Sequence, residues 1–223
     1  MISQLFYSGL FIVLFIFLII ISEYAYRRYK LNPEITRKAS HIASGILSLS
    51  FTTIFDSHFF VLIPGIIFLV VLYIARKRKL FPSIDQVDRE TSGSYLLPLS
   101  IYLVFLIGEI GGSPVFFILP VLIISLSDPI AAYSGSSIQR NNRTIALHGF
   151  STSKTVVGSV AFLVSTFIIS LVTLYFYNVH HTEMIKISIV VSVIATAVEM
   201  LSIKGSDNFT VPIIVALTLL VLM

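Results

Sequence analysis

Asp128 stands where a membrane segment has no structural need for a carboxylate. It follows directly on an uncharged run at 115–126. An unpaired charge there costs several kcal/mol, so we expect a metal ion or a cation as its partner. The small residues Ala131, Ala132 and Gly135 come next, and they allow another group to approach this turn closely.

Lys154 is a second candidate, because it opens the apolar segment 155–179 and Ser151 or Ser153 can cap a helix there. The first N–H groups of a helix lack partners, so a helix start combined with a lysine and hydroxyls predicts a phosphate site. An ordinary helix cap beside an interfacial lysine is the alternative. The sequence has no Walker A motif, so a nucleotide would be held in another way.

Two further carboxylates follow late in the chain. Glu199 ends an uncharged run at 187–198, and Asp207 lies shortly after it. A carboxylate in such a run should face the interior of a helix bundle. Together with Asp128, these oxygens would suffice for one or two Mg²⁺ ions that carry a nucleotide triphosphate.

Two polar clusters in the N-terminal half of the chain contribute cationic side chains. Arg37 and His41 are four residues apart and share a helix face, from which they could address an anionic or hydroxyl-bearing group. They could equally be an orienting cation and an interfacial histidine. Arg89 and Glu90 precede Gly93 in a loop of mixed charge, which is also typical of a solvated surface.

The composition indicates what must position these residues. Of 223 residues, 56% are apolar and 12% charged, with a mean hydropathy of +0.96, against about 25% charged in soluble domains. This excludes a soluble globular protein and predicts an all-α integral membrane protein, a polytopic bundle of about eight transmembrane helices in one domain, 1–223. The expected spans are 5–22, 39–55, 59–75, 94–108, 113–127, 155–179, 185–203 and 209–223.

Charge patterning predicts the orientation. The connecting segments 23–38, 76–93, 128–154 and 199–208 hold 14 of the 15 Lys and Arg residues. By the positive-inside rule these loops are cytoplasmic and both termini extracytoplasmic. The net charge of +4 is spread over these loops, so no nucleic-acid partner is expected. The absence of cysteine excludes thiol nucleophiles, disulfides and cysteine zinc sites.

Four motifs recur in an order that resembles the polyprenol kinase family, which includes dolichol kinase, phytol kinase and CTP-dependent diacylglycerol kinase and is related to phosphatidate cytidylyltransferase. The resemblance spans about 35–215. The motifs are Arg37-Lys38-x-x-His41 with Gly45, Asp128-x-x-Ala131-Ala132-x-x-Gly135, Lys154-Thr155-x-x-Gly158-Ser159, and Glu199 followed by Asp207-Asn208-x-x-x-Pro212.

This resemblance implies a membrane enzyme that uses CTP and Mg²⁺ on a membrane lipid substrate. The cytidylyltransferase signatures are missing, since His148-Gly149-Phe150 is only a fragment of one, and Asp207-Asn208 is more similar to the kinase branch. We therefore expect a CTP-dependent lipid kinase that phosphorylates phytol, a polyprenol, dolichol or diacylglycerol. The alternatives are a phosphatidate cytidylyltransferase and, in another class, a small ion-coupled transporter.

Residue roles follow from these expectations. Asp128, Glu199 and Asp207 would hold the metal, while Asp128, Lys154, His41 and Glu199 would be catalytic, with His41 or Glu199 accepting the hydroxyl proton. The residues expected to contact nucleotide or phosphate are Arg37, Lys38, Arg89, Lys154, Thr155, Gly158, Ser159 and Asn208. A transporter would need functional polar residues on both sides of the membrane, whereas these crowd one side.

Overall fold

A computed structural model describes residues 1–78, 80–85, 93–138, 143–147 and 150–223. It is mostly helical, with one short antiparallel hairpin. The helices are α1 (Ile2–Tyr29), α2 (Pro33–Ser48), α3 (Phe51–Ile54), α4 (His58–Lys77), α5 (Pro82–Asp85), α6 (Gly93–Gly111), α7 (Val115–Leu122), α8 (Asp128–Ser137), α9 (Val156–Phe176), α10 (His181–Leu201) and α11 (Asp207–Leu222), with a π-helical turn at Ile123–Ser127 and strands β1 (Thr144–Leu147) and β2 (Phe150–Thr155).

Six helical segments of the described chain are long and apolar enough to cross a membrane, which agrees with an all-α integral membrane protein. They are Ile2–Tyr29, His58–Lys77, Gly93–Gly111, Val115–Ser137, Val156–Phe176 and His181–Leu201. The expected number of eight is not confirmed. The segment 39–55 is divided between α2 and the short α3, and the last segment is α11, whose 16 residues give only about 24 Å of helix.

Contacts between helix ends define the two ends of the bundle. At one end, the Thr36 hydroxyl donates to the Ser83 carbonyl at 2.8 Å, and the Ser83 N–H donates to Glu23 at 3.0 Å. At the other end, the Gln4 amide donates to Asp56 at 2.7 Å. Since α1, α2 and α3 connect these contacts, the chain runs from one end to the other and back within its first 56 residues.

The start of α2 is fixed by local sequence. The Asn32 side chain accepts a hydrogen bond from the Glu34 N–H at 2.8 Å, and Pro33 occupies the first helical position. Both residues suit a helix start, because the amide oxygen satisfies an unpaired N–H and proline has none to satisfy. The following turns of α2 therefore begin at a defined residue and carry Arg37, Lys38 and His41 along the bundle.

The segment expected as the loop 128–154 is largely structured. The helix that starts at Val115 continues through the π turn into α8, which ends at Ser137. Beyond it, β1 pairs with β2 in an antiparallel hairpin, with Thr144 opposite Thr155 and Leu147 opposite Phe150. The hairpin leads directly into α9, so Lys154 lies at the junction of a strand and a helix.

The interior combines aromatic packing with small polar side chains. Phe11 and Phe51 meet edge to face with ring centroids 4.8 Å apart, and Phe51 also stacks on Phe117 at 6.3 Å. Nearer the π turn, the Thr166 hydroxyl donates to Ser127 at 3.1 Å. Small hydroxyl residues let helices approach closely and can form hydrogen bonds between them, which is typical of helix packing in lipid.

Candidate active site

A cavity of about 1000 Å³ lies at the end of the bundle where α2, α8, α9 and α11 meet. Its described lining includes three cationic and four anionic side chains, and each comes from a region that the sequence singled out or adjoins one. They are Arg37, Lys38, Lys154, Glu34, Asp128, Glu199 and Asp207. Residues far apart in the chain thus meet in one place.

Lys154 is the hub of the larger charged group. Its Nζ donates to Glu199 Oε1 at 2.5 Å and to Asp207 Oδ2 at 2.6 Å. Burial disfavours the charged amine, but the carboxylates of Asp207, Glu199 and Asp128 outweigh it and hold the pKa of Lys154 above its ordinary range. Lys154 is therefore a permanent cation that joins the start of α9 to the end of α10 and the start of α11.

Lys38 and Asp128 form the second charged group. The ammonium of Lys38 on α2 donates to Asp128 Oδ2 at the start of α8. Asp128 is 5% exposed, so a cationic partner is what its burial requires. The sequence predicts a metal ion or a cation as the partner of Asp128. In the structure this partner is Lys38, which the sequence predicts to contact the nucleotide.

Close packing explains the small residues after Asp128. A Cβ added to Gly135 would lie 2.6 Å from Thr155 Oγ1, and one added to Gly158 would lie 3.0 Å from the Ala131 carbonyl oxygen. The group that approaches Ala131 and Gly135 is thus the start of α9. This contact sets the distance between the two walls of the cavity that carry Asp128 and Lys154.

The start of α9 differs from the expected phosphate loop. Thr155 caps the helix, and neither Ser151 nor Ser153 is the N-cap, because β2 continues to Thr155. The Thr155 hydroxyl oxygen accepts from the Gly158 N–H at 3.1 Å, and the Val156 N–H donates to the Arg143 carbonyl at 3.1 Å. These amides already have partners, so phosphate contacts here would come from Lys154 and from the Thr155 hydroxyl. The Ser159 hydroxyl donates to Glu199 Oε2 at 3.4 Å.

Other expected residues have structural partners. Arg37 donates to Glu34 at 2.6 Å and lines the cavity. The Asn208 side chain donates to the Gly93 carbonyl at 3.0 Å, which joins α11 to the start of α6. The expected nucleotide contact Arg89 lies outside the described residues.

His41 is placed differently from the other candidates. It does not line the cavity, it is 6% exposed, and its Nε2 lies 3.1 Å from the Ile124 carbonyl oxygen in the π turn. One turn later on α2, a Cβ added to Gly45 would lie 1.7 Å from Ser125 Oγ. The same face of α2 therefore packs directly on the π turn, and glycine is required there.

The lining also contains residues that the sequence did not suggest. Ile35 and Ile42 of α2 and Tyr133 of α8 add apolar surface to the lining, and Tyr133 is 75% exposed. A signal existed for Tyr133, since the segment after Asp128 carries no charge before Arg140 and could have been recognised as continuing the helix.

The carboxylates are distributed over two lysine-centred groups. Among the residues that the structure describes, no three His, Asp or Glu side chains converge closely enough to hold a metal ion unaided. Mg²⁺ does not need such a cage, because it is usually bound by one or two carboxylates together with phosphate oxygens and water. With four carboxylates against three cations in the described lining, a triphosphate would need a divalent cation to neutralise it. The donor set thus fits Mg²⁺ delivered with a nucleotide.

The chain is similar to a known protein along most of its length. The chain is 25% identical to the phytol kinase of Synechocystis sp. over 189 residues, which cover 83% of this chain and 78% of that protein. No protein-family model matches the chain, and no solved structure matches it. The likeness agrees with the resemblance of the four sequence motifs to the polyprenol kinase family.

Proposed function

We propose that the chain is a membrane-embedded lipid kinase that transfers the γ-phosphoryl group of CTP to the hydroxyl of a membrane lipid alcohol. The observation that carries this proposal is the cavity in which Lys154, Asp128, Glu199 and Asp207 meet at one end of the bundle. Its charged groups suit a polyphosphate with a divalent cation, and the likeness to a phytol kinase agrees with an alcohol acceptor.

The polar half of the cavity binds the nucleotide. Lys154 contacts the phosphates, and the Thr155 hydroxyl can donate to them. Asp128 and Asp207 would hold Mg²⁺, which would neutralise phosphate charge. Phosphoryl transfer depends mainly on such positioning and charge stabilisation, so a site of fixed lysines and carboxylates is sufficient for it.

The apolar side chains of the lining receive the lipid. Ile35 and Ile42 come from α2, and Tyr133 comes from α8, which continues the candidate membrane span Val115–Ser137. A lipid alcohol lying along these side chains would keep its chain in the bilayer and bring its hydroxyl into the cavity that Asp128 and Glu199 line. Phytol, polyprenol, dolichol and diacylglycerol share this arrangement of a hydroxyl at the interface and an apolar chain.

The reaction has one covalent step. The lipid oxygen forms a bond to the γ-phosphorus while the bond between that phosphorus and the bridging oxygen breaks, so CDP leaves with the electron pair. Glu199 accepts the hydroxyl proton and releases it to water. We assign this role to Glu199 rather than His41, because Glu199 lines the cavity and His41 does not.

The cavity end of the bundle faces the cytoplasm in this proposal, and both termini face the opposite side, since most of the Lys and Arg residues that the structure describes lie towards the cavity end. A transporter is disfavoured. In the part of the chain that the structure describes, the buried carboxylates Glu23, Asp128, Glu199 and Asp207 all lie towards this end, whereas a transport path must cross the bilayer.

Isotope transfer tests the reaction. Purified protein in mixed micelles is incubated with Mg²⁺ and CTP labelled at either the α- or the γ-phosphate, with phytol, polyprenol, dolichol, diacylglycerol or phosphatidate, and with ATP as a competing donor. We expect label in the lipid from γ-labelled CTP only, with release of CDP. Label from the α-phosphate with release of pyrophosphate would establish a cytidylyltransferase, and no turnover with any acceptor would refute both.

A further inference from the structure

The π turn before Asp128 contains a backbone carbonyl, that of Ile124, for which regular π-helical pairing offers no donor. In a π turn the N–H of a residue pairs with the carbonyl five residues earlier. The residue five positions after Ile124 is Pro129, which has no N–H. Ile124 is 1% exposed, so water does not replace the missing donor, and a buried unpaired carbonyl is destabilising.

His41 on α2 supplies a donor at this place. Its Nε2 lies 3.1 Å from the Ile124 carbonyl oxygen, and a carbonyl can only accept, so Nε2 carries the proton. Lys38, three residues earlier, pairs with Asp128, and Gly45, four residues later, accommodates Ser125. One face of α2 thus contacts the π turn at His41 and Gly45 and the residue after that turn at Lys38.

We propose that His41 is a positioning residue whose Nε2–H provides the hydrogen bond that Pro129 cannot, and that this bond fixes the π turn so that Asp128 meets Lys38 and faces the cavity. The importance of Asp128 for turnover rests on the proposed function, whereas the hydrogen bond between His41 and the Ile124 carbonyl is independent of it. His41 then acts on the reaction through Asp128 and exchanges no proton with the substrate.

Because His41 supplies the donor that Pro129 lacks, a second substitution at Pro129 tests the proposal. His41→Leu removes the donor, while Pro129→Ala introduces a backbone N–H that can reach the Ile124 carbonyl from within the helix. We expect His41→Leu to lower kcat about tenfold or more and to lower the thermal midpoint in detergent by several degrees. Adding Pro129→Ala should restore most of both losses.

Two controls separate this role from others. Pro120 also lies inside the segment, in α7, but it is not five residues after Ile124, so Pro120→Ala should restore neither quantity in the His41→Leu protein. His41→Gln keeps an N–H donor and should retain more activity than His41→Leu, with the acidic limb of the kcat profile against pH unchanged. If His41 were the general base, both variants would lose the acidic limb, whichever residue occupies position 129.

The outcomes are distinguishable. Additive effects of His41→Leu and Pro129→Ala on the thermal midpoint, or equal restoration by Pro120→Ala, would overturn the proposal. Loss of the acidic limb in His41→Gln would overturn it in favour of a base. Should the wild-type protein turn over no CTP, the proposed function fails, yet the midpoint measurements still decide whether His41 and Pro129 are coupled.

Discussion

Replacing Lys154 by methionine tests the charged hub of the site without requiring any activity. The change keeps most of the side-chain volume but leaves Glu199 and Asp207 without their cation. The Lys154 and Glu199 side chains are 16% and 3% exposed, and breaking a buried ion pair by removing one partner costs about 3–5 kcal/mol. For a chain of this size that corresponds to a thermal midpoint lowered by roughly 6–20 °C.

The chain provides a matched control in Lys186→Met. Lys186 pairs with Glu183 at 2.9 Å, but these side chains are 64% and 54% exposed, and such surface pairs contribute about 0–1 kcal/mol. The midpoint of this variant should therefore stay within a few degrees of the wild type. Lys154→Arg keeps the charge, and its thermal midpoint should lie between those of Lys154→Met and Lys186→Met.

The assay is thermal unfolding of the purified protein in detergent micelles at pH 7.5 without nucleotide. Because the folded-state pKa of Lys154 is raised, its stabilising contribution is fully present below the ordinary lysine pKa and is lost only as the pH rises through the raised value, so pH 7.5 measures the whole effect. Adding Glu199→Gln to Lys154→Met should recover part of the loss. The reasoning is refuted if Lys154→Met is as stable as Lys186→Met, or if Glu199→Gln brings no recovery.

Three further predictions concern orientation, catalysis and the acceptor site. Single cysteines at Arg143 and His180 should react with an impermeant reagent from opposite sides of the membrane, and labelling from one side would contradict the proposed topology. Asp128→Asn should abolish turnover while leaving membrane insertion intact, whereas near-normal turnover across a range of Mg²⁺ concentrations would exclude Asp128 as a metal ligand. Ile42→Trp should raise KM for the lipid about tenfold with KM for CTP unchanged. The control Ile189→Trp, at an exposed position of α10 outside the cavity lining, should change neither; equal effects would remove α2 from the acceptor site.

The meeting of the site residues could be anticipated from sequence, but their pairing could not. A carboxylate beside an uncharged run, as at Asp128 and Glu199, must find partners because lipid does not solvate it, and this places such residues at the helix ends. The choice of partner depends on the rotation of each helix. Lys38 pairs with a residue 90 positions away, and no local pattern encodes that choice.

Local backbone features were missed for a different reason. The hairpin of β1 and β2 is short, and its strands have no clear alternation of apolar and polar residues to set them apart from a loop. The segment 39–55 is divided into α2 and α3 at Leu49 and Ser50. Neither residue is a proline or a glycine, so the sequence carries no signal for the break. The π turn, in contrast, has a signal in Pro129, whose missing N–H had to be matched by a donor from elsewhere.

The pairing of Lys154 with residues from α10 and α11 has a consequence for biogenesis. During synthesis Lys154 enters the membrane region well before Asp207 is made, since 53 positions separate them. Until α11 is inserted, the lysine lacks one counterion and the start of α6 lacks its link to Asn208. A ribosome-bound chain that ends before α11 would therefore carry an unfinished site, because Asp207 and Asn208 both belong to that helix.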